Sequence, residues 1–226
     1  MAVTLDAVAG SAPTTTNTNT TSLSTLTIGT GNCLVAMLGV GSVATGAFTS
    51  ASWGGQSLPT TPTLQVTNTG MINVWVLMNP TLGNQTLTFN WTNSTSVSTS
   101  LWAASFNSVA SFTTNTATGT GVTASYSIGS AVGHLALDAA SNAAGDWTSN
   151  GGAPQNQLIL LSATNVRLAS SDQVNQSTAS FSWSTAGGSI PWQAAMFDFT
   201  PLPPSVNLES VIPLSSFRQQ TVAVGY

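Results

Sequence analysis

The feature that most constrains the fold of this chain is a series of short apolar segments, each of strand length, separated by clusters of Gly, Asn, Ser and Thr. Residues 87–91 and 181–183 alternate apolar and polar side chains, whereas residues 72–78 are apolar on both faces. Short strands at regular spacing are typical of antiparallel sandwiches, and β-branched and aromatic side chains suit a pleated surface. The sequence therefore predicts an all-β protein.

The same pattern sets the predicted strands and one domain. We predict strands at residues 3–9, 23–28, 33–40, 48–53, 64–67, 72–78, 86–91, 101–106, 122–128, 133–139, 158–163, 177–183 and 193–199. Residues 10–22 are a low-complexity polar stretch, which we interpret as an exposed loop because it offers little apolar area to bury. Residues 1–200 are therefore predicted to form one antiparallel β-sandwich domain.

A proline block at residues 201–204 separates the last predicted strand from the C-terminus. Proline cannot donate to a strand ladder, so it ends the sheet and leaves residues 201–226 as an extended C-terminal arm. The arm carries apolar residues that we expect to make assembly contacts: Val206, Leu208, Val211, Ile212, Leu214, Phe217, Val222, Val224 and Tyr226. Two alternatives stay open. The arm either folds back on its own domain as a last strand, or docks on another subunit by strand addition or in an apolar groove.

The chain has very few charges, and this excludes some classes of partner. Charged residues make up 4% of the 226 residues, against about 25% in an average globular protein. There is no lysine, and Arg167 and Arg218 are the two basic residues. Nucleic acid and anionic membranes are bound largely through Lys and Arg. We therefore expect neither as a partner, and we expect a surface of hydroxyl and amide groups.

Few residues could carry chemistry. The single histidine, His134, and Asp138 lie on one face of a predicted strand but roughly 13 Å apart, too far for a base and its orienting carboxylate. Cys33 lies in an apolar run and is predicted to be buried rather than reactive. Calcium bound by Asp138, Asp146 and Asp172 is conceivable, because it prefers oxygen ligands. We nevertheless predict no metal, no cofactor, no catalytic residue and no enzyme activity.

Tryptophan is abundant, with seven in the chain, and exposed aromatic rings beside polar groups are one way to hold a sugar. Most of these tryptophans lie in the predicted strands and are expected in the core. Trp147 lies in a Gly- and Asn-rich stretch and is, with Asp146, our candidate for a ligand or subunit contact. The alternative is that Trp147 covers one end of the sandwich.

Several segments resemble a β-sandwich module found in phage virion proteins and bacterial surface proteins. The matching segments are Asn-Cys-Leu-Val at 32–35, Ser-Trp-Gly-Gly-Gln-Ser-Leu at 52–58, Val-Trp-Val-Leu-Met-Asn-Pro-Thr-Leu-Gly at 74–83, Gln-Thr-Leu-Thr-Phe-Asn-Trp at 85–91, Leu-Trp-Ala-Ala-Ser-Phe-Asn-Ser-Val at 101–109 and Trp-Gln-Ala-Ala-Met-Phe-Asp-Phe at 192–199. The resemblance implies a jelly-roll-like sandwich that serves as an accessory module on particles or cell surfaces. It carries over no functional residues.

These observations lead to two hypotheses about function. The first is a structural virion protein, a capsid decoration or cement protein, expected as a homotrimer that binds the major capsid protein or another virion protein. Residues 1–6 lack the basic and apolar regions of a secretory leader, so we expect synthesis in the host cytoplasm and a final place on the outer capsid surface. The alternative is a glycan- or receptor-binding module of a tail fibre or surface appendage.

Overall fold

The structure is a computed structural model that describes residues 1–16, 20–41, 47–92, 97–149, 153–163 and 165–204. Its regular elements in these ranges are β-strands, paired antiparallel in four sheets. The predicted all-β class is confirmed. The arm residues 205–226, including all nine predicted assembly contacts, lie outside the described residues.

The first half of the chain forms one sandwich of two sheets. Its strands are β1 (Thr4–Thr16), β2 (Thr20–Ile28), β3 (Cys33–Val40), β4 (Ala47–Trp53), β5 (Gln56–Leu58), β6 (Leu64–Thr67), β7 (Met71–Met78), β8 (Gly83–Thr92) and β9 (Val97–Asn107). Inner sheet 1 has the strand order β1-β9-β3-β7-β6, and outer sheet 1 has the order β2-β8-β4-β5.

The second half forms another sandwich. Its strands are β10 (Val109–Gly121), β11 (Thr123–Gly129), β12 (Leu135–Asn142), β13 (Trp147–Ser149), β14 (Asn156–Ala163), β15 (Val166–Val174), β16 (Thr178–Thr185) and β17 (Ile190–Pro201). Inner sheet 2 has the order β10-β17-β12-β15-β14, and outer sheet 2 has the order β11-β16-β13. Apart from β5, which has no counterpart, the two halves have the same strand order.

Equivalent corners confirm that the two halves are copies of one structural unit. Asn79 after β7 and Asn175 after β15 both adopt the left-handed conformation, with φ of 55° and 60°, which asparagine tolerates better than most residues. The N–H of Asn79 donates to the carbonyl of Asn32 at 2.7 Å, and that of Asn175 donates to the carbonyl of His134 at 3.3 Å. The sandwich predicted over residues 1–200 is therefore built as two sandwiches in tandem.

The four sheets stack in the order outer 1, inner 1, inner 2, outer 2, with an apolar core between each neighbouring pair. At the sides of the stack, β1 packs near β14 and β6 packs near β10. β1 is equivalent to β10, and β14 is equivalent to β6, so exchanging the two halves turns one of these contacts into the other. The halves are therefore related by an approximate two-fold axis. Each inner sheet is covered on both faces.

The central core, between the two inner sheets, joins the halves. Phe106 of β9 and Phe199 of β17 occupy equivalent positions and stack with ring centroids 5.1 Å apart. Every residue of β3 and of β12 is buried. β3 is a continuous apolar run because a strand with sheets on both sides needs no polar face. β12 differs, since it buries Asp138, Ser141 and Asn142 among its apolar residues.

Most predicted strands match the structure, and one loop prediction is wrong. Residues 10–16 belong to β1 and residues 20–22 to β2, rather than to an exposed loop. The threonines there pair with β9 and β8, and a partner strand outweighs the polar composition because threonine suits a strand. The prediction also missed β5, β10, β13 and β15.

The central core is polar at one end. Gln193 of β17 and Ser141 of β12 are opposite each other and face inner sheet 1, and Ser100 and Trp102 face them from β9. Both amide atoms of Gln193, the two serine hydroxyls and the Trp102 indole N–H are buried without a hydrogen-bond partner in the described part of the chain. A buried polar group without a partner destabilises a fold.

We expect Gln193→Met to leave the protein as stable as the wild type, or more stable by about 1 kcal/mol, because an apolar chain of similar shape removes two unpartnered polar atoms. Asn68→Leu is the contrasting variant, since the Asn68 amide donates to the carbonyls of Gly119 and Trp192. Denaturant unfolding measures both changes. A Gln193→Met protein destabilised as much as Asn68→Leu would contradict this account of Gln193.

Candidate assembly surface

The end of the stack where β9 and β17 finish carries two corners that are each held by a carboxylate. In the first half, Asp6 accepts hydrogen bonds from the N–H of Gly29 at 3.0 Å, the N–H of Thr30 at 3.2 Å and the Ser105 hydroxyl at 2.8 Å. Partial burial alone would raise the pKa of the Asp6 carboxyl, but these donors lower it below its ordinary value. Asp6 therefore fixes the turn between β2 and β3.

The equivalent corner of the second half uses a carboxylate from another strand. Asp198 of β17 accepts from the Ser130 hydroxyl at 2.5 Å and contacts Nδ1 of His134 at 2.7 Å. His134 therefore pairs with Asp198, while Asp138 lies in the core of the second sandwich. A hydrolytic triad needs a serine bonded to the imidazole. Ser130 binds the carboxylate instead, so this cluster is arranged to hold the corner.

We expect Asp198→Asn to destabilise the protein by about 1–2 kcal/mol. The carboxylate has two acceptor oxygens for Ser130 and His134, whereas the amide keeps one acceptor oxygen and puts an additional donor in place of the other. Unfolding by denaturant measures the loss. Asp146→Asn serves as the control, since Asp146 is exposed and should change the midpoint little. Equal midpoints for Asp198→Asn and wild type would show that the corner does not depend on this carboxylate.

Exposed apolar side chains gather at the same end of the molecule. Met1 is 67% exposed, Val132 84%, Val174 46% and Leu202 40%. We call these four residues the end patch. A scattered exposed aliphatic residue is ordinary, but neighbouring ones mark contact surfaces.

Backbone contacts bring the end patch together. The N–H of Val3 donates to the carbonyl of Gly133 at 3.2 Å, which brings the segment of Met1 to the turn that carries Val132. The N–H of Leu202 donates to the carbonyl of Ser108 at 2.7 Å, and the Ser108 hydroxyl contacts the Met1 sulfur at 3.9 Å. Val174 lies next to Asn175, whose side chain accepts from the N–H of Gly133 at 2.8 Å.

The end patch was not predicted from the sequence, although two signals pointed to it. Val132 is a large aliphatic residue inside a short turn, and Leu202 lies between prolines. The last described residue, Pro204, follows two residues after Leu202. The predicted contact residues of the arm begin just beyond that point.

The structure places the candidate ligand contacts Trp147 and Asp146 at the other end of the stack. Trp147 belongs to β13, is 3% exposed and donates its indole N–H to the carbonyl of Arg167 at 3.3 Å. Asp146 is exposed and pairs with Arg167 at 3.1 Å. Trp147 thus packs in the core of the second sandwich, as in the alternative that it covers the end of a sandwich, and its ring presents no open face for stacking.

The outer faces of both outer sheets are covered by neutral polar groups. On outer sheet 1 the Thr20 hydroxyl donates to Asn90, and the Asn90 amide donates to Ser50 at 3.0 Å. On outer sheet 2 a shallow depression of about 380 Å³ is lined by Ser125, Tyr126, Ser127, Ser180, Phe181 and Ser182. Its two aromatic residues are buried beneath the serines, so it offers hydroxyl groups rather than a ring.

The three carboxylates considered for calcium have separate partners in the structure. Asp146 binds Arg167, Asp172 accepts from the Asn156 amide at 2.9 Å, and Asp138 is enclosed by protein donors. The described part of the chain contains no group of three or more His, Cys, Asp or Glu residues arranged for a metal ion. Cys33 is buried as predicted, and burial raises the pKa of its thiol to about 12.

Comparisons with known proteins find no relative to extend this description. No family model matches the chain, and neither curated proteins nor solved structures give a match. Within the described ranges no helix has the length and apolar character required to cross a membrane.

Proposed function

We propose that this protein is a structural virion component, a decoration or cement protein that binds the outer capsid lattice and stabilises it through subunit contacts. The observation that carries the proposal is the end patch. It exposes four apolar side chains, one of which, Leu202, lies in the proline block that precedes the predicted arm. Covering such a patch with a neighbouring subunit contributes roughly 25 cal/mol per Å² of apolar area.

Two further observations support an assembly role. The described faces of the outer sheets carry hydroxyl and amide groups without Asp, Glu, Lys, Arg or His, and burying a hydrogen-bonded hydroxyl costs far less than burying an unpaired charge. The described titratable groups are engaged in holding corners and cores. In each half the first strand lies beside the last, and successive strands alternate between the two sheets except at the pairs β4–β5, β6–β7 and β14–β15. This arrangement supports the jelly-roll interpretation.

The partners in this proposal are other copies of the chain, as a homotrimer, and the major capsid protein or another virion protein. The arm enters the proposal from its sequence alone. The protein would be made in the host cytoplasm and end on the outer surface of the virion.

Co-sedimentation with purified capsids tests this function. We expect the wild-type protein to sediment with capsids and to raise the temperature at which they come apart. Val132→Ser with Leu202→Ser, and separately a chain ending at Pro204, should both lose this effect. Leu160→Ser is the matched control, because Leu160 is 39% exposed on β14, outside the end patch. Capsids that bind and are stabilised by all four proteins alike would refute the role of the end patch and the arm.

The alternative, a glycan- or receptor-binding module, has one supporting feature, the serine-lined depression on outer sheet 2. Ser127→Leu and Ser180→Leu would fill it without touching the end patch. If these changes abolish binding to a glycan array while capsid association is absent in the wild type, the alternative replaces the first proposal.

A further inference from the structure

β10 is an open sheet edge with little of the usual protection, since its one register shift with β17 lies at the start of the strand, between Val109 and Ser111. It is 13 residues long, forms the edge of inner sheet 2, and keeps an unbroken register with β17 from Ser111 to Gly121. It contains no charged residue and no proline. Natural proteins protect long edges with charges, prolines, bulges or short strands, because a bare edge pairs with another strand.

The pseudo-symmetry provides an internal comparison. β1, the equivalent edge of inner sheet 1, has the same length but contains Asp6 and Pro13, and its register with β9 shifts twice. The other described edges are short, as in β5, β6 and β13, or interrupted by a register shift, as in β2 and β14. On the remaining edge, β11, the Ser127 carbonyl already has a partner, since it accepts from the Asn115 amide at 3.1 Å.

Hydrogen bonding shows which groups of β10 face outward. The N–H of Thr116 donates to the Asn115 side chain at 2.9 Å and so points away from β17. Alternate residues of an antiparallel strand direct both backbone groups to the same side, which assigns Thr114, Thr118 and Thr120 to the open edge as well. Thr120 lies opposite Pro191, which has no N–H to offer it. All four threonine side chains are exposed.

We propose that β10 pairs antiparallel with β10 of a second copy across a two-fold axis. This pairing would join inner sheet 2 of one copy to inner sheet 2 of the other as one continuous sheet. With Ala117 on the axis, Thr114 lies opposite Thr120 of the partner subunit and Thr116 opposite Thr118 of the partner subunit. This register gives every outward backbone group of the four threonines a partner. It places no charge against a like charge, and it brings threonine against threonine, a favourable cross-strand pair.

This contact is separate from the capsid contact proposed above. A two-fold interface uses the same patch on both copies, so it cannot by itself build a trimer; it would link copies, or trimers, in pairs. Solution mass therefore tests the β10 contact, whereas capsid association tests the proposed function, and either can fail alone.

Thr118→Pro tests the contact in the full-length chain by sedimentation across a concentration series. Its N–H points outward, so proline removes a group that only a partner strand uses, and edge strands tolerate proline there. We expect the mass of the assembled species to fall by half. Thr118→Ala keeps the N–H and should keep the wild-type mass. If far-UV circular dichroism shows that Thr118→Pro does not fold, Thr116→Lys decides, with the same expected fall in mass.

Disulfide cross-linking tests the proposed register between the two β10 strands. In Ala117→Cys the new thiol lies on the proposed axis, and oxidation should give disulfide-linked dimers, because opposed residues of a non-hydrogen-bonded pair are close enough for a disulfide. Cys33 is fully buried, and Ser180→Cys on outer sheet 2 is the control that should give no disulfide-linked dimer. A wild-type protein that is monomeric at every concentration, a folded Thr118→Pro protein of wild-type mass, or equal cross-linking of both cysteine variants would each overturn the proposal.

Discussion

Asp138→Leu is expected to give the largest loss of stability of any single change in the second sandwich. Asp138 is fully buried and accepts hydrogen bonds from the Tyr126 hydroxyl at 2.7 Å, the Trp183 indole N–H at 2.6 Å, and the Ser171 N–H and hydroxyl at 2.6 and 2.7 Å. Each buried donor left without an acceptor costs about 1–3 kcal/mol. The variant should therefore lose several kcal/mol in denaturant unfolding.

The same residue predicts a pH dependence. Burial raises the pKa of Asp138 to about 6, from an ordinary value of 3.8, even though four donors favour the carboxylate. A carboxyl whose pKa is raised in the folded state contributes stability that is complete below pH 3.8 and is lost as the pH rises through about 6. At about 1.4 kcal/mol per pKa unit, this effect amounts to roughly 3 kcal/mol.

Asp138→Asn separates this effect from the loss of the carboxylate's contacts. The wild type should lose stability relative to Asp138→Asn between pH 4 and pH 7, because the amide does not titrate. Burial also raises the pKa of Asp172, but Asp172 is present in both proteins and cancels in the difference. A difference that stays constant across this range would show that Asp138 titrates normally.

Phe199→Ala is expected to destabilise both halves of the molecule together. Phe199 is fully buried in the central core and stacks on Phe106 of the other half. Truncation of a buried phenylalanine costs about 3–5 kcal/mol. Because one core is shared by both inner sheets, that loss should appear in the first half as well as in the second.

Hydrogen exchange under native conditions measures this coupling. In Phe199→Ala, amides of β3 and β7 in the first half should lose protection by the same factor as amides of β12 in the second half. If β3 and β7 keep their wild-type protection while β12 loses it, the two sandwiches unfold independently and the central core does not join them.

Sequence reasoning recovered the strands that carry an apolar pattern and missed those that lack one. The segment 33–40 matches β3 at both ends, and Gly54 and Gly55 form the turn between β4 and β5, with φ of 52° and 87°. β10 was missed because its pattern of threonines and glycines has no apolar periodicity. It forms a strand because β17 provides a ladder along its whole length.

The duplication could not be seen because almost no side chains repeat. Ile28 and Gly29 recur as Ile128 and Gly129, but the equivalents of Ala36 and Ser105 are Asp138 and Asp198. Each half solves the same packing and corner problems with different residues. In addition, the apolar sequence of an inner-sheet strand such as β3 resembles that of a central strand in a single sandwich, so it does not reveal that two sandwiches are stacked.

The contacts of the candidate site residues join segments that are distant in sequence. The spacing of His134 and Asp138 correctly argued against a catalytic pair, but the partner of His134 is Asp198, 64 residues away in sequence. Trp147 looked like a loop residue because its strand is three residues long. The end patch combines residues from four separate segments, and only the fold brings them together.

The most direct test of an assembly role is a cryo-electron microscopy map of virions that contain the protein. We expect density for the four-layer stack at symmetry-equivalent positions on the outer capsid surface, with the end patch covered by a neighbouring subunit. Finding the protein only at the tip of a tail fibre with its end patch exposed to solvent, or finding no copy on the particle, would contradict it.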